Sequence, residues 1–195
     1  MEDQTLSAEE KLILLRLARE AIREGLRQPA ALPALDLEEL PRRLQEEGAT
    51  FVTLTLAGNL RGCIGSLVAR QPLAVDVRHN ALAAAFDDPR FMPLTAAEFP
   101  RIKVEVSVLS PSQPLAYDGP DDLLRKLRPG VDGVVLERGW HRATFLPQVW
   151  EQLPDPEEFL AHLCDKAGRL CGSFYRLTLK ISIYQVEKFK EGMGK

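Results

Sequence analysis

One short segment combines a cysteine, an arginine and two glycines. Residues 60–66 read Leu-Arg-Gly-Cys-Ile-Gly-Ser and are predicted to form a strand. The apolar residues of this strand, Leu60 and Ile64, are expected to face the core of the protein. Side-chain alternation then places Arg61 and Cys63 together on the opposite face. A guanidinium close to a thiol favours the thiolate, which is the nucleophilic form of cysteine. The segment alone has two interpretations, a buried structural cysteine and a reactive thiol.

The glycines of this segment, Gly62 and Gly65, bear on the same question. Glycine weakens the interior of a strand unless another group has to approach the backbone closely. The two glycines therefore predict that a neighbouring chain segment or a ligand lies against this strand.

A second strand carries a carboxylate and a hydroxyl in the same alternation. Residues 102–108 alternate between apolar and polar, which is typical of a strand with one buried face, and the polar positions include Glu105 and Ser107. If both strands share a sheet, these two side chains join the thiol and the guanidinium on one polar face. A carboxylate there can act as a general base. The alternative is a solvated outer face with ordinary ion pairs.

A helix predicted over residues 72–86 carries a polar stripe. Asp76, Asn80 and Asp87 recur at helical spacing opposite an apolar face, and we expect this stripe to face solvent, with a cleft as the alternative. The residues that follow, Asp88-Pro89-Arg90-Phe91, predict a rigid turn in which the carboxylate and the guanidinium pair across the proline.

The elements around these segments predict an α+β fold. Ser7 and Glu10 form a capping box at the start of an amphipathic helix. Residues 51–56 and 60–67 are strand-like, and Gly58-Asn59 between them predicts a hairpin turn. Helices interspersed with hairpin-linked strands predict mainly antiparallel sheets flanked by helices.

The clearest break in the chain is a cluster of prolines and glycine between residues 111 and 120. We place a lobe boundary there. Residues 1–110 are then the larger lobe, completed by part of 160–190, and residues 111–159 form a smaller lobe or insertion.

The last apolar stretch changes phase. The alternation that runs from Tyr175 to Ile183 slips by one position before Tyr184 and Val186. The slip predicts a bulge or bend in one long final strand.

Composition excludes several classes of protein. The 195 residues include 25 Lys plus Arg against 28 Asp plus Glu, a net charge of −3 that gives no overall attraction to nucleic acid or anionic membrane. The longest apolar runs are far shorter than a membrane-spanning helix of roughly 20 residues. An acidic start without an apolar stretch, and three cysteines without disulfide-framework spacing, predict a reduced cytoplasmic protein. No metal-binding or phosphate-binding motif is present, so no metal or cofactor is predicted.

Several blocks of the sequence together resemble one protein family. Residues 60–65 resemble the signature hexapeptide of the AMMECR-one family, also called AmmeMemoRadiSam system protein A. Further blocks match in family order over nearly the whole chain: Asn80-Ala81 with Ala84-Ala85-Phe86, Asp88–Phe91, Glu105–Leu109, Thr144–Trp150 and Lys166–Gly168. The resemblance implies a two-lobed α+β protein with a cleft between the lobes.

The resemblance also implies a set of site residues. The predicted catalytic residues are Cys63 and Glu105. The predicted binding residues are Arg61, Asn80, Ser107, Arg142 and Gln148. Many relatives have His-Gly where this chain has Asp132-Gly133, so no histidine role is carried over to that position.

Three functions follow as hypotheses. The first is a cytoplasmic enzyme that acts on a small metabolite through Cys63, in a pathway that the resemblance links to a Memo-like protein and a radical SAM enzyme. The second is a non-catalytic binding or adaptor module. The third and weakest is nucleic-acid binding through a local patch of arginines, namely Arg42, Arg43, Arg61 and Arg142.

Overall fold

The computed structural model describes residues 5–28, 33–168 and 179–192, which form two compact units. Residues up to 109 and from 187 onward make the first unit, and residues 110–186 make the second. Each unit has its own sheet and its own hydrophobic core. The predicted α+β class, with mainly antiparallel sheets flanked by helices, is confirmed.

The helices and strands of the described residues are interspersed along the chain. In order they are α1 (Ala8–Arg27), α2 (Arg42–Gln45), β1 (Glu47–Leu56), β2 (Asn59–Gly65), β3 (Gln71–Pro72), α3 (Leu73–Phe86), a 3-10 turn (Phe99–Arg101), β4 (Ile102–Leu109), β5 (Gln113–Pro114), α4 (Pro120–Lys126), β6 (Gly133–Arg138), β7 (His141–Phe145), a second 3-10 turn (Pro147–Glu151), α5 (Pro156–Lys166), β8 (Lys180–Tyr184) and β9 (Val186–Lys190). None of the helices in these described ranges has the length and apolar character needed to cross a bilayer.

The first sheet has the strand order β2-β1-β4-β9, with β3 paired to the start of β1. Strand β1 runs antiparallel to β2 and β4. One face of the sheet is covered by α1 and α3, and the buried residues on that face include Val52, Leu54 and Val104. The other face of the sheet carries the alternate residues of these strands, among which are Cys63, Glu105 and Ser107.

The capping box of α1 is present as predicted. The Glu10 amide donates to the Ser7 hydroxyl at 3.1 Å, and the Ser7 amide donates to the Glu10 carboxylate at 2.8 Å. The helix continues through Gly25 to Arg27. A Cβ on Gly25 would collide with the side chains of Leu82 and Phe86. This glycine therefore allows α1 and α3 to pack closely.

The second unit contains a four-stranded sheet in the order β5-β8-β6-β7. Its core includes the Trp150 ring, which stacks on Phe159 with ring centroids 3.7 Å apart and planes at 5°. The Trp150 indole also donates to the Asp132 carbonyl at 2.7 Å. This bond joins the segment before β6 to the second 3-10 turn.

The prediction of one long final strand is wrong. Residues 180–184 pair in the second sheet, whereas residues 186–190 belong to the first sheet. The slip in apolar phase at Gln185 marks the point where the chain leaves one sheet for the other, because the two strands bury their side chains in different cores. Tyr175, at the start of the predicted strand, lies outside the described residues.

Candidate functional site

Cys63 and Glu105 share one face of the first sheet, with Thr53 between them. Thr53 of β1 is the register partner of Cys63 on β2 and of Glu105 on β4. The neighbouring Gly62 faces α3, since a Cβ at that position would collide with the Ala84 carbonyl, so Cys63 points to the face away from that helix. The backbones of Cys63 and Glu105 are two strand spacings apart, roughly 10 Å. The carboxylate is thus a neighbour of Thr53 and not a direct partner of the thiol.

The hydroxyl of Thr53 contacts the thiol. It donates to the Cys63 sulfur at 3.3 Å, and the Cys63 residue is half-buried. The Cys63 amide and carbonyl bond to side chains outside the sheet. Thr53 and Cys63 are therefore a non-hydrogen-bonded pair of the antiparallel ladder, the kind of pair in which opposed side chains lie closest. The register therefore holds a hydroxyl against the sulfur on a rigid strand.

The backbone of Cys63 is held by two side chains of the loop after α3. Because β2 is an edge strand, its outward amide and carbonyl groups lack a strand partner. The Cys63 amide donates to the Asp88 carboxylate at 2.8 Å, and Arg90 Nη2 donates to the Cys63 carbonyl at 3.2 Å. Arg90 also donates to both Asp88 oxygens, at 2.9 and 2.7 Å. We call Asp88 and Arg90 the Asp88–Arg90 clamp.

The charges of the Asp88–Arg90 clamp stabilise each other. The side-chain hydrogen bonds from Arg90 hold the pKa of Asp88 well below its usual range, although burial acts in the opposite direction. The bonded carboxylate in turn raises the pKa of Arg90. The pairing across the proline is present as predicted. Its contact with Cys63 was not predicted, because residues 25 positions apart leave no periodic signal in the sequence.

Arg61 forms an ion pair with a different carboxylate, that of Glu98. The register pairs Leu54 with Gly62 and Thr55 with Leu60, which leaves Arg61 as the extra residue of a bulge. Its guanidinium donates to both oxygens of Glu98, at 2.8 and 3.1 Å. These bonds lower the pKa of Glu98 to about 2.

Arg61 is also enclosed by the loop that carries Glu98. Its side chain is only 13% exposed, and Nη2 donates to the Met92 carbonyl at 2.9 Å. The group predicted to favour the thiolate therefore anchors the loop between residues 92 and 98. Because Arg61 is the extra residue of a bulge, it does not follow the side-chain alternation that predicted it beside Cys63.

The glycines of β2 accommodate neighbouring parts of the protein. Gly62 lies against the backbone of α3 at Ala84. A Cβ on Gly65 would collide with the ring of Phe51, its register partner on β1. Of the two predicted causes, a neighbouring chain segment accounts for both glycines.

The prediction that Asp76 and Asn80 face solvent is wrong. Both residues are buried, because α3 directs them at polar groups where β1 and β2 lie beside the helix. Asp76 accepts hydrogen bonds from the Thr50 backbone amide at 2.8 Å, the Thr50 hydroxyl at 2.7 Å, the Ser66 hydroxyl at 2.8 Å and the Gln71 side-chain amide at 3.1 Å. The Asn80 amide donates to the Thr50 carbonyl at 3.1 Å and to Asp76 at 2.9 Å. Asn80 is 7% exposed, and its amide links the helix to the sheet.

The structure places the remaining predicted site residues on other elements. Ser107 is buried and is the register partner of Phe51, one row along the same face from Cys63. Arg142 lies on β7 of the second unit, where it pairs with Glu137 at 3.0 Å. Gln148 is exposed on the second 3-10 turn. Within the three described ranges, no group of three or more His, Cys, Asp or Glu side chains is placed to hold a metal ion.

Comparison with known proteins assigns the family. The AMMECR1 (AMMECR-one) family model matches residues 15–189. The chain belongs to the AMMECR1 family. A protein of Methanothermobacter thermautotrophicus is 42% identical to this AMMECR1 chain over 95% of its length and 96% of the relative's. A protein of Methanocaldococcus jannaschii is 36% identical over 95% of this chain and 92% of its own.

A solved structure shares the fold. The crystal structure of an uncharacterized protein from Pyrococcus horikoshii matches this AMMECR1 chain with a TM-score of 0.79 and 35% sequence identity, over 96% of this chain and 94% of that one. In the present structure, the AMMECR1 signature hexapeptide lies in β2, and the Asp88–Phe91 block reaches it through the clamp on Cys63. Two blocks that are separate in the sequence therefore meet at the backbone of Cys63.

Proposed function

We propose that this protein is a cytoplasmic enzyme that acts on a small metabolite and uses Cys63 as its nucleophile. The observation that supports this most directly is the 3.3 Å contact from the Thr53 hydroxyl to a half-buried thiol. The backbone of the same residue is held on both its amide and its carbonyl by the Asp88–Arg90 clamp. A nucleophile held on a rigid strand by its supporting residues is well placed for covalent catalysis.

In the proposed reaction, Glu105 moves the proton. The Cys63 thiol passes its proton to Glu105 through one water molecule, since the carboxylate lies beyond direct hydrogen-bond reach, and the Thr53 hydroxyl donates to the resulting thiolate. The sulfur then forms a bond to an electrophilic carbon of the metabolite. The leaving group departs with the bonding electrons and takes the proton from Glu105. Water afterwards displaces the sulfur and restores the thiol.

The rate of alkylation of Cys63 tests this proposal. We expect iodoacetamide at pH 7 to alkylate Cys63 about tenfold faster than free cysteine, with peptide mass spectrometry separating it from Cys164 and Cys171. Thr53→Val removes the hydroxyl while keeping the shape of the side chain, and it should slow the reaction. Thr55→Val, two residues along the same strand, is the matched control. A Cys63 thiol that reacts no faster than free cysteine removes the nucleophile from the proposal.

The second candidate is a non-catalytic binding or adaptor module for the Memo-like protein and the radical SAM enzyme that the family resemblance implies. It is favoured by exposed apolar side chains next to the Arg61 contact. Met92 is 81% exposed, and Leu60 is also exposed. In this case purified partner should bind the Cys63→Ala variant as tightly as the wild type. Turnover of a metabolite that is lost in Cys63→Ala excludes this candidate.

A further inference from the structure

Arg90 is fixed in place from several sides. Its Nε and Nη2 atoms donate to the two oxygens of Asp88, whose side chain is only 2% exposed. The same Nη2 donates to the Cys63 carbonyl at 3.2 Å, and the guanidinium carbon lies 5.5 Å from the centroid of the Phe91 ring. A guanidinium that is already ordered loses little conformational entropy when it binds another group.

One nitrogen of this guanidinium is left over. Arginine has five N–H donors, of which Nε carries one and each Nη carries two. The bonds to Asp88 and Cys63 engage Nε and Nη2, and within the described part of the chain Nη1 makes none of these bonds. The group is planar, so one Nη1 hydrogen points in the same direction as the Nη2 hydrogen that reaches the Cys63 carbonyl. The Nη1 donor therefore lies beside the Nη2 donor that bonds Cys63, the residue that carries the thiol.

Solvent reaches the Arg90 side chain, in contrast to that of Arg61. The Arg90 side chain is 54% exposed, whereas that of Arg61 is 13% exposed. Both guanidinium groups donate through Nε and Nη2 to a carboxylate, so their bonding is alike and their access to a ligand differs. The accessible one is the one bonded to Cys63.

We propose that the molecule on which Cys63 acts carries a carboxylate or phosphate group, and that Arg90 binds this group through Nη1. The inference rests on the proposed function and names the class of its substrate. Guanidinium donors match the oxygens of carboxylate and phosphate, and an anion held there is oriented beside the nucleophile. Asp88 balances the charge of Arg90, but it occupies the edge formed by Nε and Nη2 and leaves the Nη1 side to the anion. Its hydrogen bonds also raise the pKa of Arg90, which keeps this guanidinium charged.

Two alkylating reagents of different charge test the inference on the wild-type protein. Iodoacetate and iodoacetamide both transfer a carbon to the thiolate with loss of iodide, but only iodoacetate is an anion. The ratio of their rates at Cys63, divided by the ratio for free cysteine, measures binding of a carboxylate beside the thiol. We expect this relative ratio to be about ten, because a charge-assisted hydrogen bond favours the anion. A relative ratio of one or less overturns the inference.

Competing anions identify the source of the preference. Inorganic phosphate and acetate are added separately, each at constant ionic strength set with sodium chloride. Protection of Cys63 from iodoacetate by phosphate alone assigns a phosphate site, and protection by acetate assigns a carboxylate site. Lack of protection by both overturns the inference.

Variants of Arg90 show whether this residue is the donor. Arg90→Lys keeps a positive charge opposite Asp88 and loses the fork of donors, so the relative ratio should fall at least threefold. Arg90→Gln should bring it close to one. Arg70→Gln removes an exposed arginine shortly after β2 and should leave the ratio unchanged. An equal fall in the Arg70 and Arg90 variants overturns the assignment.

The two proposals fail in different ways. Slow reaction of wild-type Cys63 with both reagents contradicts the nucleophile itself. Fast reaction with iodoacetamide, without a relative preference for iodoacetate, contradicts only the anionic substrate.

Discussion

At the scale of single residues, Asp88 organises the surroundings of Cys63. Its buried carboxylate accepts hydrogen bonds from the Cys63 amide and from three nitrogens of Arg90, namely the backbone amide, Nε and Nη2. A buried carboxylate is costly unless it is hydrogen-bonded and paired, and Asp88 is both. One side chain therefore holds the edge strand and orients Arg90.

Replacing Asp88 by asparagine should destabilise the protein. Asp88→Asn keeps the volume but removes the charge-assisted bonds, and we expect the free energy of unfolding to fall by about 2 kcal/mol. Asp87→Asn is the matched control, because Asp87 is exposed, and its effect should stay within about 0.5 kcal/mol. Urea denaturation of both variants measures the difference. An Asp88→Asn effect no larger than that of Asp87→Asn would contradict the stabilising role of these bonds.

The ion pair of Glu98 with Arg61 should make stability depend on acid pH. The pKa of Glu98 is about 2 in the folded protein, against an ordinary value of 4.5, so the folded state binds fewer protons in this interval and stability increases with pH. The contribution of Glu98 is therefore complete above pH 4.5 and is lost as the pH falls towards 2.

Unfolding of wild type and Glu98→Gln at two pH values measures this contribution. The difference in unfolding free energy between them should be larger at pH 6 than at pH 3. A difference that is equal at both pH values, or larger in acid, contradicts the assignment of the pair.

At the scale of elements, the packing of β2 against α3 depends on the lack of a side chain at Gly62. The position faces the Ala84 carbonyl, which belongs to helix backbone and cannot rotate away. Gly65 faces the Phe51 side chain, which can move. The neighbour of Gly65 can therefore move to accommodate an added side chain, whereas the neighbour of Gly62 cannot.

Alanine at these positions should reveal the difference. Gly62→Ala should lower the free energy of unfolding by about 3 kcal/mol and Gly65→Ala by about 1 kcal/mol. In a Phe51→Ala background the cost of Gly65→Ala should disappear, while that of Gly62→Ala should persist. Thermal unfolding followed by circular dichroism measures all of these variants. A cost of Gly62→Ala that Phe51→Ala relieves would contradict the proposed contact.

At the scale of the whole molecule, the arginines of the predicted nucleic-acid patch are largely paired with carboxylates. Arg61 bonds Glu98, Arg43 bonds Glu46 at 3.2 Å, and Arg142 pairs with Glu137 at 3.0 Å. Arg142 also belongs to the second unit, whereas the others belong to the first. The net charge of the chain is −3.

We therefore expect no measurable affinity for single-stranded RNA or DNA at low salt. Nucleic-acid affinity comes largely from unpaired cations that displace counterions, and here carboxylates already neutralise most of the patch. A gel-shift assay at about 20 mM salt measures this, with a basic RNA-binding protein as positive control. Binding that weakens steeply with salt would contradict the expectation and restore the third hypothesis.

Local patterns were sufficient to predict most of the elements. The capping box at Ser7, the alternation of residues 102–108 and the extent of α3 all depend on neighbours within four positions, so the sequence displays them directly. The same local rules placed Cys63 and Glu105 on the polar faces of their own strands, and the strand pairing of the structure puts both faces on one side of a shared sheet. They misjudged the final strand, because its two halves belong to different sheets.

The sequence by itself determined the positions of most helices and strands and the strand face on which the thiol lies. Only the tertiary structure decided which groups far apart in the sequence meet. At a one-residue bulge, Arg61 pairs with Glu98. In a loop 25 residues further along the chain, Asp88 accepts the Cys63 amide. Contacts of this kind follow from strand register and loop closure, which bring distant residues together without any periodic trace in the sequence.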